Sequence, residues 1–171
     1  MMNIVLTGFM GTGKSTVGRL LARRLGLKFV DLDELIEAEA GMTIKDIFAS
    51  KGEPYFRDLE SGVVKKLASG AFGSSLVVST GGGAVIRREN RSLFKAWGRL
   101  VCLRASVDEV LRRVGDRTDR PLLARPDRRE AIETLLDERE AAYRDCDLEV
   151  DTTGVSIEKV AEKISSFIEG R

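Results

Sequence analysis

The segment Gly8-Phe9-Met10-Gly11-Thr12-Gly13-Lys14-Ser15 constrains this chain more than any other feature, because its glycines reserve a sharp turn that side chains would obstruct. It matches G-x-x-x-x-G-K-[ST] and follows a short β-branched apolar run at residues 3–7. It also precedes Val17, Leu20, Leu21 and Leu25, apolar residues at helical spacing that Gly26 closes. A strand, a glycine loop and a helix in that order aim successive backbone N–H groups and a helix N-terminus at one point, which makes a seat for a phosphate chain. Lys14 is then spaced to reach the outer phosphates, and the Ser15 hydroxyl to ligate Mg²⁺.

The rest of the chain repeats the alternation that this loop begins. Apolar runs at residues 28–32, 76–79, 100–103 and 148–150 read as further strands, each separated from the last by helical periodicity. Alternation requires crossovers, so the expectation is an α/β chain with a five-stranded parallel sheet flanked by helices, in one domain over residues 1–171. Residues 33–69 are too long for a simple crossover and carry the helical patterns Ile44, Ile47, Phe48 and Phe56, Leu59, Val63, Leu67. They read as a helical insertion over one sheet edge, suited to a second-substrate pocket. Residues 113–126 contain Pro121 and Pro126 and no sustained period, and read as a mobile loop. In or beside it lie Arg112, Arg113, Arg117, Arg120, Arg125, Arg128 and Arg129, a local basic patch.

Absences narrow the chemistry. There is no His, which excludes Ser-His-Asp triads, Cys-His dyads and His-containing zinc sites. There is no Gln to position water as GTPases do, and neither Asn3 nor Asn90 precedes a Lys, so the guanine-reading Asn-Lys-x-Asp is missing. Small-molecule and nucleotide kinases remain. Lys plus Arg total 28 against 27 Asp plus Glu, and the net charge of +1 gives no global reason for a nucleic-acid or anionic-membrane partner. No apolar run approaches the ~18 residues of a membrane span. Cys102 and Cys146 are too few for a disulfide framework, so a reducing cytoplasm fits best.

Asp31 and Asp33 stand two apart at the end of the second predicted strand, where an extended chain sends both carboxylates to one side with Leu32 opposite. One suits the Mg²⁺ shell and the other an acceptor hydroxyl, with a helix N-cap as the competing use of Asp33. Gly81-Gly82-Gly83 follows the strand at 76–79, at the carboxyl edge where open parallel sheets bind ligands, although a plain flexible loop reads the same. Ile132, Leu135, Leu136, Arg139 and Tyr143 share one helical stripe, so Arg139 points where a core residue would, unless it snorkels to water. Together with Arg57, which follows Glu53-Pro54-Tyr55-Phe56, it could clamp a carboxylate bidentately.

In combination these segments resemble shikimate kinase, a P-loop NTPase family of nucleoside-monophosphate-kinase-like fold, over essentially the whole chain. The likeness rests on residues 8–16, Asp31-Leu32-Asp33, the I-F-x-x-x-G-E-x-x-F-R pattern ending at Arg57, residues 81–84, Arg120-Pro121-Leu122-Leu123, and the L-x-x-R-x-x-x-Y helix from Leu136 to Tyr143. Departures are mild: Ala141-Ala142 stands where Pro-Leu is usual, and Thr80 where Leu is usual. The resemblance implies transfer of the ATP γ-phosphoryl to the 3-hydroxyl of shikimate, giving shikimate 3-phosphate on the route to chorismate, with Mg²⁺ as cofactor. It implies ATP binding by Gly11, Thr12, Gly13, Lys14, Ser15, Thr16, Arg113 and Arg120, with residues 151–154 beside adenine. It assigns shikimate to Asp33, Arg57, Gly81, Gly82, Gly83 and Arg139, the metal to Ser15 and Asp31, and catalysis to Asp33, Lys14 and Arg120. Arg120 would close over the phosphates on a lid. The expected assembly is a monomer. On the residues alone, a sister kinase for gluconate or another polyol and a non-catalytic ATP-binding module both stay open.

Overall fold

The computed structural model of the chain describes residues 2–117 and 124–170. Its strands are β1 (Ile4–Gly8), β2 (Lys28–Asp31), β3 (Leu76–Ser79), β4 (Arg99–Arg104) and β5 (Leu148–Asp151). All pair in parallel in the order β2-β3-β1-β4-β5, so each expected strand is present with its ends moved by a residue or so. The helices are α1 (Lys14–Leu25), α2 (Leu32–Ala40), α3 (Ile44–Lys51), α4 (Glu53–Ala68), α5 (Arg88–Trp97), α6 (Val107–Val114), α7 (Arg128–Arg144) and α8 (Ile157–Glu169).

Successive side chains of a strand leave on opposite faces, and here both faces are covered. Ile4, Leu6, Val77, Val101 and Leu103 pack on one face with Val17 and Leu21 of α1 and Val160 and Ile164 of α8. Val5, Val78, Leu100 and Cys102 pack on the other with Ile36, Ile47, Val63, Leu67, Phe94 and Ile132, drawn from α2, α3, α4, α5 and α7. Burial of one such side chain contributes roughly 1.5–3 kcal/mol, more than the ~1 kcal/mol that a helix-interior glycine costs. Gly18 in α1 illustrates the balance: a Cβ there would lie 2.6 Å from the Phe29 ring, so the glycine permits the close approach of α1 to β2.

One expectation about local geometry is corrected. β2 ends at Asp31 and α2 begins at Leu32, so Asp33 lies in the first helical turn and not in extended chain. Asp31 is the N-cap, its Oδ1 accepting from the Asp33 backbone N–H at 2.9 Å. A carboxylate at the strand's last residue satisfies an otherwise orphaned helix N–H, which allows the helix to start without a linker. The alternation argument for the two aspartates therefore fails, although both still line one cleft.

The stretch at 33–69 is helical as expected, built from α2, α3 and α4. Thr43 caps α3, its hydroxyl accepting from the Asp46 N–H at 3.1 Å, and Gly52, at φ 82°, separates α3 from α4. Of the expected loop at 113–126, Arg113 belongs to the last turn of α6, while residues 118–123, Arg120 among them, lie outside the described residues. Among the described residues no helix is long and apolar enough to cross a membrane.

Candidate active site

The loop after β1 is shaped by glycines that no other residue could replace without displacing backbone. Gly8 has φ 134°, and a Cβ there would lie 2.1 Å from the Leu103 carbonyl oxygen. Gly13, at φ 93°, is the N-cap of α1 and offers no side-chain cap. α2, α3, α6 and α8 are capped by Asp31, Thr43, Ser106 and Ser156 and carry acids in their first turns, whereas α1 has none. Its first N–H groups and dipole are left for an anion from outside the chain.

The side chains of this loop are held close by. Lys14 Nζ donates to the Phe9 carbonyl at 2.8 Å, as does Thr12 Oγ1 at 2.7 Å. Ser15 Oγ lies 3.1 Å from Asp31 Oδ2 and 3.1 Å from Ser79 Oγ. Among the described residues no group of three or more His, Cys, Asp or Glu could enclose a metal ion. A hydroxyl and a carboxylate are hard oxygen donors, and Mg²⁺, which keeps much of its shell as water and phosphate oxygen, asks for little more from a protein. The residues present fit that ion.

Arg113 ties the loop to the segment after β5. Its Nη1 donates to the Gly11 carbonyl at 3.1 Å and to Thr152 Oγ1 at 2.9 Å, and its Nη2 to the Thr152 carbonyl at 2.8 Å. Its Nε donates to Glu109 at 2.8 Å. Arg112 first, and Arg113 with it, hold the Glu109 carboxyl down at about 2.

The second half of the cleft forms around Gly81, Gly82 and Gly83. A Cβ on Gly81 would lie 3.0 Å from Asp33 Oδ1, one on Gly82 3.3 Å from Arg139 Nη1, and one on Gly83 2.2 Å from Arg57 Nη2. The triplet is thus a floor on which three charged side chains from α2, α7 and α4 converge. Arg139 is turned inward, its guanidinium 5.8 Å over the ring of buried Phe9, so it does not snorkel. Arg57 donates from Nη1 to Glu60 Oε1 at 2.8 Å and from Nη2 to Glu53 at 3.2 Å. Tyr143 is buried and donates its hydroxyl proton to the Gly82 carbonyl at 2.6 Å.

Glu60 is a site residue that sequence reasoning missed. It is 1% exposed, and burial pushes its carboxyl above the ordinary 4.5 despite Arg57 beside it. Among the described residues its Oε2 has no hydrogen-bond partner, and neither does Nε of Arg139. The signal was present: Phe56, Glu60, Val63, Val64 and Leu67 form the buried stripe of α4, so Glu60 stands at a core position as Arg139 does.

A cleft of about 1290 Å³ joins the two halves, lined by residues 11–16, Asp31, Asp33, Arg57, Gly81, Gly82, Gly83, Arg113 and Arg139. The predicted site residues among the described ones therefore meet in one cavity. The arrangement can hold a phosphate chain on backbone donors at one end. At the other it can hold a small acceptor between two guanidinium groups, with a carboxylate to receive a hydroxyl.

Comparison with known proteins agrees with this geometry. The family model described as shikimate kinase matches residues 10–169. The shikimate kinase of Geobacter metallireducens is 51% identical over 99% of this chain and 93% of its own, and that of Geobacter sulfurreducens 49% identical over 97% and 90%. Among solved structures, shikimate kinase from Acinetobacter baumannii in complex with shikimate superposes with a TM-score of 0.92 at 38% identity, covering 98% of this chain and 93% of that one. The enzyme from Aquifex aeolicus gives 0.82 at 36%, over 99% and 97%. With the family model matched over residues 10–169 and relatives about half identical over 90% or more of their own length, the chain belongs to the shikimate kinase family.

Proposed function

We propose that this chain transfers the γ-phosphoryl group of ATP to the 3-hydroxyl of shikimate, forming shikimate 3-phosphate on the route to chorismate. The observation that carries the reading is the convergence of Asp33, Arg139 and Arg57 on three successive glycines beside an uncapped α1 N-terminus. In it the residues have separate tasks. The N–H groups of residues 11–16 and Lys14 bind the phosphates, Lys14 leaving the Phe9 carbonyl to do so. Arg57 and Arg139 grip the shikimate carboxylate, and Gly81, Gly82 and Gly83 let the ring approach the backbone. Asp33 orients the 3-hydroxyl and takes its proton as that oxygen bonds to the γ-phosphorus and ADP departs.

Ser15 would hold Mg²⁺ directly and Asp31 through its water shell, and the bound ion neutralises phosphate charge. Arg113 flanks adenine together with residues 151–154, and Arg120 neutralises charge on the transferring phosphoryl group. The expected assembly is a monomer. Two free cysteines support a reducing cytoplasm.

The test is ADP release by purified protein with Mg²⁺ and ATP, measured with shikimate, with gluconate and with neither. Shikimate-dependent turnover is expected. Equal or greater turnover on gluconate would transfer the assignment to another polyol acid, and ATP binding without turnover would reduce the chain to a binding module.

A further inference from the structure

Arg57 and Arg139 stand on different helices, so a carboxylate held by both needs something to set α7 against the glycine loop. Beside Asn90 of α5, whose Nδ2 donates to the Ala84 carbonyl at 3.0 Å, three side chains grip that loop. Arg87 ties it to α4, its Nη1 donating to the Arg57 carbonyl and to Ser61 Oγ, both at 3.1 Å. Tyr143, one turn beyond Arg139, ties Gly82 to α7. Arg91 of α5 makes the third connection, and no task in the scheme above uses it. Its Nη1 donates to the carbonyls of Val85 at 2.6 Å and Ile86 at 2.9 Å, just beyond Ala84 at the end of the glycine triplet, while its Nε donates at 3.0 Å to Oδ2 of Asp145, the C-cap of α7. The Arg91 side chain is 15% exposed.

We propose that Arg91 is a positioning residue that fixes the last turns of α7 against the glycine loop and so sets where Arg139 meets the acceptor carboxylate. The inference rests on the reading that Arg139 binds that carboxylate. The chemistry requires an arginine, because only a planar fork with separate Nε and Nη donors spans two carbonyls and a carboxylate at once; a lysine reaches one side or the other. Loss of Arg91 also takes donors from Val85, a fully buried residue, and an unsatisfied buried carbonyl favours a shifted loop.

Steady-state kinetics with both substrates varied, alongside thermal melting, test this on Arg91→Met, Arg91→Lys, Arg139→Lys and the Arg91→Met/Arg139→Lys double variant. Arg91→Met is expected to raise KM for shikimate about tenfold with KM for ATP within about twofold, and Arg91→Lys to raise it less. The double variant should be no worse than Arg139→Lys alone, because Arg91 acts through Arg139. Should Arg91→Met not accumulate as folded protein, Asp145→Asn is expected to split the two KM values in the same direction, with Lys95→Met unchanged. Equal rises in both KM values, or a lowered Tm with neither changed, would reduce Arg91 to a packing residue. If Arg139→Lys raises KM for shikimate and Arg91→Met does not, this inference alone falls; if Arg139→Lys leaves it unchanged, the reading of Arg139 falls and this inference with it.

Discussion

The two ends of the cleft are built by opposite means. The phosphate end is backbone: glycines at φ 134°, 75° and 93° bend one continuous segment, and the uncapped start of α1 supplies the donors. The acceptor end is side chain: Asp33, Arg57, Glu60 and Arg139 come from three helices and meet over a loop from β3. A backbone site tolerates no substitution that moves the chain, but it needs no distant partner. A side-chain site can yield locally, but its charges must be balanced, as Arg57 is by Glu60 and Glu53.

This contrast can be broken most directly at its glycines. Gly8→Ala sets a Cβ against the Leu103 backbone oxygen at a φ that side chains avoid, so Tm should fall by more than about 10 °C, read by thermal melting. A near-normal Tm would mean the loop is not backbone-limited. Arg120→Ala should leave the fold intact and lower kcat by about 10³-fold, by analogy with other phosphate-clamping arginines; a loss below about fivefold contradicts that role. Gly83→Ala sets a Cβ 2.2 Å from Arg57 Nη2, so KM for shikimate should rise roughly 30-fold, the cost of one displaced charge-assisted contact, and Tm should fall as well because the displaced guanidinium is the partner of buried Glu60. Arg139→Lys, which keeps the charge and loses the fork, should raise the same KM about tenfold, and an unchanged value removes Arg139 from the site.

The smallest effect concerns Asp145, whose carboxyl is held below its ordinary 3.8 by the hydrogen bond from Lys95 and then that from Arg91. A depressed folded value means stabilisation that is present above 3.8 and fades as pH falls through the folded value. Because Asp145 is 43% exposed, Asp145→Asn should lower Tm by no more than about 2 °C at pH 7. That gap should close as melts are repeated below pH 3.8; a constant gap would assign it to packing.

Legibility followed the same division. The strands and the phosphate loop were readable because β-branched runs and glycine positions act over a few residues. Alternation would place both carboxylates of the pair on one side only in a chain extended through Asp33, whereas Asp31 caps α2 and turns the chain one residue earlier. Glu60 interrupts the apolar stripe of α4 as Arg139 does that of α7, and so was legible in principle. Arg91 carried no signal at all, since an arginine in a short amphipathic helix reads as a solvated charge until its partners are known.

The sequence by itself determined the alternating α/β order, the phosphate loop and, through the conjunction of its motifs, the likeness to one kinase family. Only the tertiary structure decided the strand order, that Glu60 and Arg139 face the cleft, and that Arg91 joins α7 to the glycine loop. The physical reason is range. Backbone conformation is selected by neighbours in the chain, whereas a charge in the interior takes its meaning from groups that folding brings to it from far away in sequence.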